Sequence, residues 1–247
     1  MEKIMKIVFL LLVIYVPGFS QTPSGEYLLD KIDQNMSSDS RVFTSKMVIH
    51  GRRGSRTVES KTWAIGEEKS FTEYLAPARE KDTKMLKLED QLWMYSPATD
   101  RTIQISGHML RQSVMGSDLS YEDMMDDKKL QTHYTAAVVG TDTIESRPCW
   151  ILELQAKTKD VAYEMRKLWV DQQRYLPLRQ ELYAKSGKLL KRMELSEIVR
   201  HGKRWYPMHI LFKDMLKDGK GTEFMVDDIE FDVTIPDYRF SKASLRR

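Results

Sequence analysis

Between residues 41 and 50 the apolar side chains Phe43, Met47 and Ile49 share one parity, the period-two pattern of a strand with one buried face. Residues 56–65, 70–75, 83–88, 91–95 and 102–105 read the same way, separated by turn signals such as Gly66-Glu67, Glu89-Asp90 and Ser96 to Asp100. The second half repeats the style over 134–139, 150–154, 163–170, 178–183, 189–199, 205–212 and 222–235. In the last of these, Ile229, Phe231, Val233 and Ile235 alternate with Asp228, Glu230, Asp232 and Thr234, predicting one dry and one wet face. Ser186-Gly187 and Asp218-Gly219 supply hairpin turns.

Two segments depart from this period. Residues 24–36 are helical in pattern, with Tyr27, Leu28, Ile32 and Met36 on one side and Ser24 as N-cap. Residues 106–127 place Met109, Leu110, Ser113 and Val114 on one helical face. Gly116 interrupts the run, and Ser120 with Asp123 forms a capping-box start for a second short turn. A sheet of about a dozen antiparallel strands must curl or close. The expected fold is mainly β: an unclosed antiparallel β-barrel, strongly curved, with an N-terminal helix and a mid-chain helical lid over an apolar interior.

The first twenty residues have a separate character. Lys3 and Lys6 precede an apolar run from Ile7 to Val16, and Gly18 and Ser20 occupy the −3 and −1 positions of a cleavage site. That is a secretory signal peptide, with Gln21 expected as the first mature residue. The run is shorter than the roughly twenty residues of a membrane span. The only cysteine, Cys149, is far from the cleavage site, so no lipid anchor is expected. The expected organisation is residues 1–20 as signal and 21–247 as one exported, soluble periplasmic domain. Removing Lys3, Lys6 and Glu2 takes one unit from the formal net charge of +3, leaving no basic footprint for nucleic acid. Cys149 has no partner for an internal disulfide and reads as a small buried hydrophobe.

No catalytic set emerges. There is no Gly-x-Ser-x-Gly elbow, no His-Glu-x-x-His and no Cys-x-x-Cys. His50, His108, His133, His201 and His209 are scattered and read as surface or strand-edge residues. No phosphate loop or dinucleotide fingerprint calls for a cofactor. Methionine is enriched around the lid, at Met85, Met94, Met109, Met115, Met124 and Met125. Flexible thioethers serve either as ordinary core filling or as a surface that re-packs around apolar ligands.

The stretches Leu92 to Arg101 (LWMYSPATDR) and Arg111 to Met124 (RQSVMGSDLSYEDM) resemble the outer-membrane lipoprotein-sorting family of LolA/LolB-like periplasmic carriers. More narrowly, they resemble one of its bacterial branches. The later KLWVD, YLPLR and IPDYRF runs, at Lys167 to Asp171, Tyr175 to Arg179 and Ile235 to Phe240, fit the same pattern. The resemblance implies a carrier that shelters the acyl chains of lipoproteins or lipids for transfer to the outer membrane, without enzymatic activity. Implied partners are the acylated cargo, an inner-membrane transporter and an outer-membrane acceptor, with transient membrane contact and no nucleic acid. Two other readings stand beside it: a sensor module using the same lipid-shaped pocket, and a lipid-modifying hydrolase.

Geometry suggests parts for individual residues. Met109, Leu110 and Val114 are expected as the lid's inward face. Leu86, Leu88, Ile103, Trp150, Leu152, Leu154, Ile229, Phe231 and Val233 are expected on the sheet's dry face, as core or as lipid contacts. Arg101 and Arg111 either meet an anionic head group or pair with Asp100, Asp118 or Glu122. No metal ligands are expected.

Overall fold

A computed structural model describes residues 22–51, 54–126, 129–159 and 161–246. The expected signal peptide and cleavage site lie outside the described residues. Helix α1 (Gly25–Met36) is followed by β1 (Ser40–Gly51), β2 (Gly54–Ile65), β3 (Lys69–Ala76), β4 (Lys84–Leu88), β5 (Gln91–Ser96) and β6 (Arg101–Ile105). After a mid-chain excursion that includes the short helices α2 (Tyr121–Met125) and α3 (Leu130–His133), the chain resumes with β7 (Tyr134–Ile144), β8 (Arg147–Ala156) and β9 (Met165–Asp171). It ends with β10 (Pro177–Tyr183), β11 (Leu189–His201), β12 (Arg204–Asp214) and β13 (Thr222–Phe231), then two 3₁₀ turns.

The strands form one antiparallel sheet of thirteen, ordered β6-β5-β4-β3-β2-β1-β13-β12-β11-β10-β9-β8-β7. The sheet is not closed, as the strand periodicity predicts for a curved, barrel-like architecture. The order explains the lid. The chain walks outward from β1 to one edge at β6, then re-enters at the opposite edge, β7, and walks back until β13 pairs with β1. The β6–β7 connection must therefore cross a face of the sheet.

That inner face carries two covers. Ser24 Oγ accepts the Tyr27 N–H at 3.2 Å and starts α1. The helix buries Leu28, Leu29 and Ile32 against Leu152, Leu154, Leu168 and Val170 of β8 and β9. The excursion buries Val114, Leu119 and Tyr121 against Met47, Ile49, Val58, Tyr74, Met85, Leu92 and Ile105.

The outer face has a cover of its own. The C-terminal segment packs Ile235, Phe240 and Leu245 onto Phe71, Leu86 and Trp93. Arg239 lies 3.8 Å from the Trp63 ring centroid and Lys242 lies 4.1 Å from that of Trp93. Strands β3 to β5 are thus buried on both sides, and β4 has four consecutive buried residues. Cys149 is fully buried, and desolvation pushes its thiol up to about 11, so it is an inert hydrophobe.

Candidate functional site

Between the inner face and its covers lie two adjoining chambers of about 250 and 210 Å³. Arg41, Leu119, Asp123, Asp126 and Phe212 line both. The larger is walled by Phe43, Met47, Val58, Ala64, Tyr74, Ile210, Phe212 and Phe224 from the sheet, and roofed by Val114, Leu119 and Met124. Three of its hydroxyls are paired across neighbouring strands: Ser60 with Ser45, just outside the lining, and Thr62 with Thr72, each pair at 3.0 Å. A paired hydroxyl presents little unmet polarity, so the wall stays compatible with an apolar occupant. The smaller chamber runs beneath α1, past Ile32 and Met36 to Leu182, Met193 and Tyr206.

The roof is the mid-chain excursion, and it differs from the expected helix. It consists of 3₁₀ turns at Gly107–Arg111 and Val114–Gly116, an isolated bridge between Ser113 and Ser120, and α2. Met115 and Gly116 both have positive φ, +50° and +72°, which breaks the helical face. The capping box is present: Ser120 Oγ accepts the Asp123 N–H, and Asp123 Oδ2 accepts the Ser120 N–H at 2.6 Å.

Polar contacts fasten this roof to the sheet. Asp118 Oδ2 accepts the Thr222 hydroxyl at 2.9 Å, and Asp118 Oδ1 accepts the Asp214 N–H at 3.0 Å. Lys191 Nζ lies 3.0 Å from Asp123 Oδ2 and also donates to the Asp118 carbonyl. Lys217 donates to Ser113 Oγ at 2.7 Å and to the Ser117 carbonyl at 3.1 Å. Arg56 donates to the Met115 carbonyl, and Lys87 to that of Met125 at 3.1 Å.

At the junction of the two chambers, Arg166 is 6% exposed and paired with Asp126, its guanidinium 4.7 Å from the Tyr134 ring centroid. Tyr163 donates its hydroxyl to Asp123. Burial, then the adjacent Asp123 charge, pushes the Tyr163 phenol far above its ordinary value, so it stays a donor.

Several expected site residues are placed elsewhere. Leu86, Leu88 and Val233 belong to the outer-face cluster beneath the C-terminal segment. For Leu86 and Leu88 the reason is that β4 is covered on both faces, so alternation carries no information. For Val233 the reason is Asp232, whose φ of +58° ends the strand and reverses the parity, while its N–H donates to the Ser40 carbonyl at 2.8 Å. Trp150, Leu152 and Leu154 face inward but lie under α1, as its packing surface. Ile103 is 39% exposed on the edge strand. Ile229 and Phe231 pair with Phe43 and Arg41 on the inner face, outside the larger chamber's wall. Met109 and Leu110 pack on the roof cluster, and Val114 lines the chamber. Arg101 and Arg111 are exposed and line neither chamber; Arg111 acts electrostatically on Glu122.

Sequence reasoning missed Phe43, Val58, Ile210, Phe212 and Phe224 as lining residues. The signal was the shared parity of Phe43, Met47 and Ile49, diluted by the hydroxyl residues interleaved on the same face. It also missed a chain on the outer face. Glu223 bonds His50 Nε2 at 2.6 Å and His209 Nε2 at 3.0 Å, and Ser55 and Ser196 hold the other ring nitrogens. The two histidines hold the Glu223 carboxyl below its usual range. They are a joined pair rather than scattered surface groups. Among the described residues no group of His, Cys, Asp or Glu is arranged to hold a metal, and no helix is long and apolar enough to cross a membrane.

A family model described as an uncharacterized protein matches residues 66–247. A crystal structure described as an outer membrane lipoprotein-sorting protein domain from Vibrio parahaemolyticus superposes with a TM-score of 0.79 at 22% identity, covering 90% of this chain and 98% of that one. A DUF1329 family protein from Desulfovibrio piger gives 0.80 at 25%, covering 90% and 97%. A LolA superfamily protein from Nitrosomonas europaea gives 0.75 at 22%, covering 90% and 100%. No curated protein matches this chain.

Proposed function

The chain belongs to the uncharacterized-protein family whose model spans residues 66–247 and has the fold of the LolA superfamily, and from that premise we propose that it is a periplasmic carrier for the acyl chains of a lipid or lipoprotein bound for the outer membrane. The observation that carries this reading is the pairing of an apolar chamber with a roof of short turns, seated on a few apolar side chains and fastened to the sheet by polar bonds. Burying a methylene is worth about 0.8 kcal/mol, so an acyl chain of a dozen carbons gains on the order of 10 kcal/mol in a dry cavity. Polar bonds at the roof's margin exchange with water on opening, so each has a modest net worth of about 0.5–1.5 kcal/mol. Lifting the roof gives up those bonds and the burial of Val114, Leu119 and Tyr121 but leaves β8 and β9 packed under α1, so it costs less than unfolding the sheet, and cargo enters between the excursion and α1. The two chambers together fall within the roughly 300–1,000 Å³ of small-molecule pockets, and Met124, Met36 and Met193 among their lining residues provide side chains able to re-pack around cargo.

The carrier performs no covalent step. It loads from an inner-membrane transporter and unloads to an outer-membrane acceptor, with brief contact at either membrane. The test is native mass spectrometry of the mature protein prepared from periplasm without detergent. A bound mass matching a phospholipid or an acylated peptide supports the carrier and names the cargo class. A clean apo mass that persists after incubation with lipid extract overturns it.

A further inference from the structure

A second cleft, larger than either chamber, opens at the opposite end of α1 from its N-cap. It measures about 610 Å³ and lies between the C-terminal turn of α1, the β9–β10 turn and the β11–β12 hairpin. Its lining is basic. Lys31, Arg174, Lys203, Arg204 and His201 converge there, and Asp232 is the one carboxylate among the lining residues. Asp232 does little to offset them: its side chain is 56% exposed and lies 3.4 Å from Arg204 alone.

The cations are held in place by aromatic rings. The Arg174 guanidinium sits 4.8 Å from the Trp205 ring centroid, and the Arg204 guanidinium 4.6 Å from that of Phe231. Ring stacking uses a guanidinium's face and leaves the Arg174 N–H edge for a ligand, whereas Arg204 already donates to the Ser37 carbonyl and to Asp232. Asn35 fixes the walls: its Nδ2 donates to the Arg174 and Tyr175 carbonyls at 2.9 and 3.1 Å, and its Oδ1 accepts the Trp205 N–H at 2.7 Å.

We infer that this cleft binds a phosphate-bearing ligand. The Arg174 edge and the Lys203 ammonium, with Arg204 and Lys31 adding positive charge beside them, match a phosphate's several oxygens, and a stacked guanidinium loses little entropy on binding it. The inference goes beyond the carrier reading and stands without it. Phe231 forms the boundary: its ring meets Tyr206, which lines the smaller chamber, at a centroid distance of 5.3 Å. A phosphate in the cleft thus belongs either to the head group of a lipid seated in the chambers or to a soluble molecule.

Isothermal titration calorimetry with three probes decides the matter: pyrophosphate, dihexanoyl phosphatidic acid and phosphate-free dihexanoylglycerol. The double variant Arg174→Gln/Lys203→Gln alters groups that hydrogen-bond no other side chain and gives up only the Arg174 stacking on Trp205, so its thermal unfolding is expected to stay close to the parent's. The variant should weaken at least one phosphate probe tenfold or more, whereas Arg101→Gln/Arg111→Gln, remote from the cleft, should leave it unchanged. Binding of pyrophosphate indicates a soluble ligand; binding of phosphatidic acid alone indicates a head group. Failure of both phosphate probes to bind, or equal weakening by the two variants, overturns the site. Fatty-acid uptake measured on the same samples reports on the chambers separately, so an empty chamber beside a working cleft refutes only the carrier.

Discussion

Asp118 and Thr222, more than a hundred residues apart, exchange two hydrogen bonds: the Thr222 hydroxyl donates to the Asp118 carboxylate at 2.9 Å and accepts the Asp118 N–H at 3.0 Å. Thr222 has no exposed surface. This joint ties the roof of the chamber to the first residue of β13, the strand that completes the sheet against β1.

The joint is the first point of test. Thr222→Val keeps the shape and removes the hydroxyl, leaving the Asp118 N–H and one carboxylate lone pair unmet. A loss of about 1–3 kcal/mol is expected in urea unfolding. Hydrogen exchange should quicken across residues 113–126 while β8 and β9 keep their protection. Uniform exchange across the chain would contradict a separately fastened roof.

Leu86 separates core from cavity. It is fully buried on the outer face beneath Phe240 and Leu245. Leu86→Ala should cost about 2–5 kcal/mol and leave the affinity for a fluorescent fatty acid unchanged. Phe224→Asp, on the chamber wall, should instead abolish uptake. Reversed effects would place the ligand on the outer face.

Asp171 gives the fold an acid limit. Its carboxylate is fully buried; burial raises its pKa, but Arg147 and the N–H groups of Gln173 and Arg174 outweigh this and hold it below the usual range. A depressed carboxylate contributes fully above its unfolded value of about 3.9 and loses that contribution as pH falls through its folded value. Asp171→Asn, which takes the carboxylate from Arg147, should cost about 1–3 kcal/mol at neutral pH, and the gap to the parent should begin to close as pH falls below about 3.9. A gap independent of pH would show that the Asp171 charge is not what holds the turn.

Glu122 has the opposite sign. Burial, and then the neighbouring Asp123, push its pKa up. A raised carboxylate weakens the fold above its folded value, and that penalty disappears below its unfolded value of about 4.3. Glu122→Gln should raise the melting temperature at pH 7 and converge on the parent near pH 4. A lower melting temperature at pH 7 would mean that the charge is used.

The strands were legible in the sequence because period-two alternation is local. Phe43, Met47 and Ile49 show it within one strand, and so does the hairpin at Ser186-Gly187. The caps were legible for the same reason, since Ser24 and the Ser120–Asp123 box act within three residues. The cavity was not. Leu86 and Phe43 have the same character in sequence, and only the C-terminal segment packing on one face and the roof on the other makes one of them core and the other wall. At Asp232 a single left-handed residue moved Val233 to the far face, a change that no hydrophobic pattern records. The basic cleft draws on residues from 31 to 232 that no motif joins. Local chemistry determines the elements of this protein. Which faces they share is a property of strand order, because the order sends one connection across the inner face and leaves the tail to cover the outer one.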